Sequence, residues 1–397
     1  MRFKFSLRNN SKTNITAWLG AVIICSQYVC ATIAIPRISI VLASIIIIIT
    51  AYQLVNHRFI MTARYMTVVA YITVAFLLSF IAISNSTYTL DYLERFILYG
   101  LAALLVGFQV SETAGVIKRV IIIGVLGLPF LLLSNVLAMN TSNQMGYAYA
   151  CLPILVASFL GLEYEKIFKV ICGINIVVIL AKFAAFAPRG VWIVIATTIV
   201  FIVYWKLCVK NGKGTKLITS IIILAFLFGG AIYVFSNLEM VVTAINSFLL
   251  SKFNVKIYAL DKYLRYLAQD KLYNGRDYLW ALAKTTIYES PIVGHGIGYF
   301  ETLSSGSYCH NIILQGFCEA GVFFGVPLII YIGRQVSKVL RSPFSENIES
   351  FKWLILIFCV GIEMLLFSSV YWYYSLFWFF LGSCLSKKKV LEGQEIQ

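Results

Sequence analysis

Long apolar runs separated by short polar segments make up most of the chain, and a single long interruption at 237–310 breaks the pattern. The runs at 15–35, 38–55, 65–84, 95–111, 117–138, 145–161, 166–187, 190–209, 217–236, 311–333, 353–369 and 370–385 each read as a helix that crosses a bilayer. A crossing takes roughly 20 apolar residues. Backbone amides in lipid must be satisfied within the segment, so many such runs predict a helical bundle. A β-barrel would instead alternate apolar and polar positions over shorter segments. The predicted fold is all-α, a polytopic helical membrane protein of about 12 transmembrane helices with a large extracytoplasmic loop containing short helices. The last two runs join directly and read equally well as one re-entrant hairpin. Three parts follow: N-terminal spans at 1–236 (about nine of them), the loop at 237–310, and C-terminal spans with a basic tail at 311–397.

Composition agrees with that pattern. The 397 residues are 60% hydrophobic and 12% charged, about half the charge of an average soluble domain, and mean hydropathy is +0.86. Basic residues set the orientation. Segments on one side of the predicted membrane hold 21 Lys and Arg, while the short segments on the other hold only Arg37, Arg95, Lys182 and Arg189. The positive-inside rule makes the first side cytoplasmic, so both termini are expected there and the 237–310 loop faces outward. The net charge of +15 is thus mainly a topology signal. Its scatter along loop ends argues against a nucleic-acid partner. The first run follows a basic segment but leads straight into a second run, and it reads as an uncleaved anchor. The nine Cys include no C-x-x-C pair and read as small apolar fillers, with Cys309 and Cys318 alone lying beside polar sequence.

Several chemistries have no motif here. No G-x-x-x-x-G-K-[ST] loop occurs, and NGKGT at 211–215 does not fit it. No Asp-x-Asp pair occurs, and the three His at 57, 295 and 310 lack metal-ligand spacing. The expectation is an activity with no bound metal and no cofactor.

Candidate chemistry gathers at 274–325. Upstream, Phe253, Ile257, Leu260, Leu264 and Leu267 form one helical stripe, read as a helix on the outer interface or as a lid over a lipid-linked substrate. Asn274–Gly275 then turns the chain, and a helix is predicted from Arg276, with Trp280 and Lys284 on the same face. The planar fork of an Arg pairs with phosphate at two points, so Arg276 is a candidate diphosphate ligand; a surface ion pair or interfacial anchor is the alternative. Pro291 ends that helix, and Gly294, Gly296 and Gly298 follow as a tight connection, with His295 incidental. His310–Asn311 stands at the mouth of the next span, where a neutral imidazole would take a proton from a sugar hydroxyl; an interfacial His with a backbone partner is the alternative. Glu319 lies in the apolar run after it and needs a partner or a wet cavity. It is read as pairing with an Arg or orienting His310. Lys182 and Pro188–Arg189–Gly190 join two spans on the same outer side, which places Arg189 at the mouth of the bundle unless it is an ordinary loop cation. Glu363, in the penultimate span, has no partner evident in the sequence.

The outward loop, the R-x-x-x-W helix (Arg276, Trp280), the P-x-x-G-x-G turn (Pro291, Gly294, Gly296) and H-N-x-x-L-Q…E-x-G-x-x-x-G (His310, Asn311, Leu314, Gln315, Glu319, Gly321, Gly325) resemble the O-antigen ligase/polymerase superfamily. Arg189–Gly190 between two spans fits the same resemblance. The motifs occupy about 50 residues, and the topology extends over the whole chain. One departure concerns the Arg-to-Gly spacing of some polymerases: Val200 and Ile287 stand where it would place glycine after Arg189 and Arg276.

The resemblance implies a bacterial inner-membrane, inverting, metal-independent glycosyltransferase acting on undecaprenyl-diphosphate-linked glycan. Arg189 and Arg276 would hold the diphosphate, and His310 would act as base on the acceptor or bind it. Trp280, Lys284, Asn311, Glu319 and Lys182 would contact substrate. Membrane lipid and a chain-length regulator protein are the implied partners. Polymerisation of repeat units into O-antigen or capsular polysaccharide is the first expectation. Ligation of the glycan to lipid A core or protein is the alternative, and a transporter or lipid-linked glycan flippase is the alternative from another class.

Overall fold

The computed structural model describes residues 11–33, 37–83, 87–134, 141–186, 188–209, 238–254, 276–345 and 347–386, with scattered positions between 218 and 265. Regular structure among the described residues is helical throughout. The N-terminal part comprises α1 (Ser11–Ile33), α2 (Ile38–Val55), α3 (Ala63–Ala82), α4 (Thr87–Arg95), α5 (Ala102–Gln109), α6 (Thr113–Leu133), α7 (Thr141–Gly161), α8 (Lys166–Phe186) and α9 (Arg189–Val209). The loop contributes α10 (Leu238–Phe253), α11 (Arg276–Glu289) and α12 (Tyr299–Leu303), and the C-terminal part α13 (Ile312–Ser345), α14 (Ile348–Leu356), α15 (Met364–Phe367) and α16 (Ser375–Leu385).

Nine helices among the described residues are long and apolar enough to cross a membrane, and the chain is an all-α polytopic membrane protein. They account for nine of the twelve predicted runs. The run at 95–111 falls on α4 and α5, joined by a π-helical turn at Phe96–Leu101 into one stretch that begins earlier, at Thr87. The run at 217–236 lies outside the described residues, apart from two positions. The run at 370–385 is shorter than expected. Its helix, α16, has 11 residues, about half the rise needed to cross.

The last two runs form a helical hairpin whose first limb is long enough to cross a membrane and whose second is not. Ile348–Phe367 forms one limb through α14, a π-helical turn at Ile357–Glu363, and α15. Residues Ser368–Tyr374 then reverse direction, and α16 forms the short second limb. Non-helical backbone at membrane depth is tolerated only when protein surrounds it. Val370, Tyr371, Trp372 and Tyr374 are accordingly buried, and a rosette of Phe76, Phe96, Tyr371, Trp372, Phe377 and Trp378 surrounds the turn. Small residues let α16 lie directly against α5. A Cβ on Gly382 would sit 2.2 Å from the Leu104 carbonyl oxygen, and one on Gly107 would sit 2.0 Å from that of Phe379. Such backbone contact is how helices associate where no hydrophobic drive separates protein from lipid.

The interior is formed by α1, α5, α6, α7, the Ile348–Phe367 limb and α16. Burial separates these helices from the periphery: 78% of the Ile348–Phe367 window is buried, against 22% for α2, α3 and α8. One end of the bundle carries Arg64 on the Leu385 carbonyl, Lys118 with Glu165, Lys206 with Glu163, and Lys352 with Glu349. The other end receives the N-termini of α9 and α11 and the His310 turn.

Candidate functional site

The site is assembled around a break in α13. Helical geometry fails at Ala320 (φ −139°, ψ 22°) and Gly321 (φ 55°, ψ −141°), so Ile312–Glu319 forms a short separate helix before the main span. The glycine-rich turn after α11 docks into this break. The amide of His295 donates to the Cys318 carbonyl (2.9 Å), that of Gly296 to Glu319 (2.8 Å), and that of Val322 to Pro291 (3.0 Å). Gly294, Gly296 and Gly298 all have positive φ, which only glycine adopts freely. They bring the turn against the chain's own backbone, so this is a tight structural connection. His295 is structural as well: its Nε2 pairs with the Thr286 carbonyl, and its ring stacks on Tyr299.

Buried polar bonds hold His310 in place. Asn311 Oδ1 accepts from the amides of Ile313 and Leu314, capping the helix that follows. Gln315 Oε1 accepts from the Cys309 amide (3.1 Å), and the Trp280 indole donates to the Cys309 carbonyl (3.1 Å). This second bond joins α11, and with it Arg276, to the His310 turn. His310 has φ 52°, an uncommon conformation for a non-glycine residue that is often retained at functional sites. Its ring lies over Tyr308, with centroids 4.0 Å apart. Its Nδ1 is buried and has no hydrogen-bond partner among the described residues. Burial, aided by the charge of Arg276, lowers the imidazole to about 4, so it is neutral at pH 7.

Arg276 is half-buried and makes no ion pair or hydrogen bond among the described residues. Its charge acts on both His310 and Tyr149. Tyr149, from α7, bonds Ser368 in the hairpin turn, and its hydroxyl lies 2.5 Å from where a Gly190 Cβ would stand. Tyr308 closes the group by accepting from the Ser369 amide (3.2 Å). The charge of Arg276, at the start of α11, thus acts on Tyr149, whose hydroxyl lies against Gly190 in the first turn of α9. Helix N-termini carry partial positive charge, and with a guanidinium they form an electropositive site for an anion. The Arg189 side chain itself lies outside the described residues.

Beneath the site lies a pair of buried carboxylates. Gln315 Nε2 donates to Glu301 (2.9 Å) and to Glu319 (2.7 Å), while Tyr92 donates to Glu301 (2.7 Å). Glu319 also accepts from the Tyr371 hydroxyl and the Trp372 indole. Burial raises the Glu301 carboxyl above the ordinary carboxylate range. The network ties the loop, α13 and the hairpin turn together just below the His310 turn.

The arrangement corrects the expectations for Glu319 and Glu363 and gives the other named residues structural contacts or positions. Glu319 neither pairs with an Arg nor orients His310, because its oxygens are taken by Gln315, Tyr371 and Trp372. Asn311 spends its side-chain oxygen on capping, and Trp280 its indole on Cys309. Lys182 donates to the carbonyls of Leu132 and Ser134, closing the end of α6. Lys284 is exposed on α11, a full turn beyond Trp280. Glu363 does have a partner, Thr197, at 2.7 Å. The amphipathic stripe at 253–273 lies mostly outside the described residues. Glu301, Tyr149, Tyr308 and the Ser368–Ser369 turn were not singled out from the sequence. Tyr149, Tyr308 and the two serines show only as polar residues near the end of an apolar run, a signal that ordinary interfacial residues share, and Glu301 only as one acid in the polar segment.

The grouping of a guanidinium with no partner among the described residues, a helix N-terminus, a neutral imidazole and phenol hydroxyls suits binding of a multiply charged anion next to a group that accepts a proton. Among the described residues, no cluster of three or more His, Cys, Asp or Glu is placed to hold a metal ion. No family model matches the chain, and no curated protein matches it.

Proposed function

We propose that the chain is an inverting membrane glycosyltransferase that polymerises polyprenyl-diphosphate-linked oligosaccharide units at the outer membrane face. The observation that carries this reading is a half-buried Arg276 acting on a neutral His310, where neither the guanidinium nor the imidazole Nδ1 has a partner among the described residues. In the reaction, an acceptor hydroxyl attacks the anomeric carbon, and the bond from that carbon to the diphosphate oxygen breaks. The electron pair leaves on the diphosphate, and fixed cations in a water-poor site stabilise the developing charge. The hydroxyl proton passes to His310. The donor is already activated by its diphosphate, so the step needs no nucleotide.

The low basicity of His310 has a function in this scheme. Arg276 is one of the two forces that hold the imidazole neutral. A bound diphosphate offsets that cation, so the imidazole becomes a stronger base only when donor is present. A pH profile tests this. Free-enzyme titration governs kcat/KM, and titration of the complex governs kcat. His310 must be neutral to accept a proton, so activity falls as pH drops through its pKa. The kcat/KM limb is expected near pH 4, and the kcat limb at higher pH. A kcat/KM limb that persists unchanged in His310→Gln would remove His310 from this role.

The direct test is gene deletion followed by gel analysis of surface glycans. Loss of the polymerase leaves single repeat units on their final acceptor. Long polymer stranded on the lipid carrier would identify a ligase instead, and precursors trapped on the inner face would identify a flippase.

A further inference from the structure

A cavity of about 410 Å³ opens at the opposite end of the bundle from the His310 turn, between α13, α14 and α16. Lys338 and Arg341 stand at its rim, both exposed. Neither makes an ion pair or hydrogen bond among the described residues, and no described carboxylate lines the cavity. The nearby Glu349 is already taken by Lys352 and Tyr164. Two hydroxyls add donors. Ser350 lies in the first turn of α14, at a helix N-terminus. Ser383 accepts the Trp353 indole proton, which leaves its own hydroxyl proton for another acceptor.

The lining changes character with depth. Along α14 and its continuation, Ser350 gives way to Leu354 and Ile357, one and two turns further into the span. A cationic, hydroxyl-lined mouth above an apolar wall suits a ligand with a phosphate head and a hydrocarbon tail. We propose that this cavity binds the headgroup of an anionic phospholipid, with the phosphodiester between Lys338, Arg341 and Ser350 and an acyl chain against Leu354 and Ile357. The site is independent of the Arg276–His310 group and of the reaction proposed there.

Native mass spectrometry of the full chain, delipidated in detergent and titrated with phosphatidylglycerol or phosphatidylcholine, tests the assignment. The wild type is expected to bind phosphatidylglycerol about 30-fold more tightly, the effect of two basic residues beside one anionic headgroup. Lys338→Ala with Arg341→Ala is expected to abolish that preference, and Lys338→Arg to keep it. If the double variant does not fold, Lys338→Gln alone is expected to reduce the preference severalfold. Equal binding of the two lipids by wild type, or an unchanged preference in the alanine variants, would overturn the proposal. Displacement of phosphatidylglycerol by millimolar inorganic phosphate would also overturn it, by making the site one for the free anion.

Discussion

Replacing Arg276 with Ala is expected to abolish long-chain surface glycan while the protein still inserts and accumulates. Arg276 sits at the first position of α11, half-buried and without a partner ion among the described residues, so its removal leaves no orphaned carboxylate behind. The loss should therefore appear in the reaction and not in folding. Removing one preorganised group from a site that stabilises developing charge typically costs about 10²–10³-fold in rate. Arg276→Lys should recover only part of this, because an ammonium keeps the charge but lacks the planar fork that binds two phosphate oxygens. His310→Ala is expected to give the same glycan phenotype. Wild-type glycan length in both variants, with normal protein levels, would sink the assignment of these residues.

The second large effect is structural. Gly321→Val is expected to prevent accumulation of folded protein, because two penalties coincide at that position. Its φ of 55° and ψ of −141° lie where side chains are rarely tolerated, at about 1–3 kcal/mol. An added Cβ would also stand 2.3 Å from the Ile292 carbonyl oxygen and 2.6 Å from that of Pro291. Overpacking of this kind costs about 1–3 kcal/mol more. Gly333→Ala, further along α13, is the control, since nothing lies within 4 Å of the added carbon. It should be neutral or slightly stabilising through helix propensity. Size-exclusion profiles and melting temperatures of the two variants measure the difference, and equal stability would mean that the break in α13 does not require glycine.

The contrast between these two positions shows how unevenly the sequence could be read. Hydropathy located the spans well because it depends on length and apolarity alone, and lipid imposes both directly. It placed Glu319 inside a continuous apolar helix because Ala320 and Gly321 are themselves compatible with one. The break becomes visible only when Pro291–Gly296 is seen occupying it. Arg276 and His310 stood out as polar residues in an apolar chain. Their proximity depends on the Trp280–Cys309 bond, which joins residues 29 positions apart and has no periodic signature. The structural contacts of Lys182 and Asn311 were hidden for the same reason. Their residue types suit substrate binding, but neighbouring helix ends claim them first.

By itself, the sequence determined an all-α, multi-span membrane protein, since burying backbone in lipid leaves few other options. It also determined which rare polar residues were worth attention. The tertiary structure alone decided their roles. Glu319 belongs to a buried hydrogen-bonded strut with Glu301, Gln315 and the hairpin turn, because an acid at that depth is held by whichever donors reach it. Arg276 has no ion-pair partner among the described residues, and the docked glycine turn and the capped His310 turn bring it beside His310 without a described carboxylate between them.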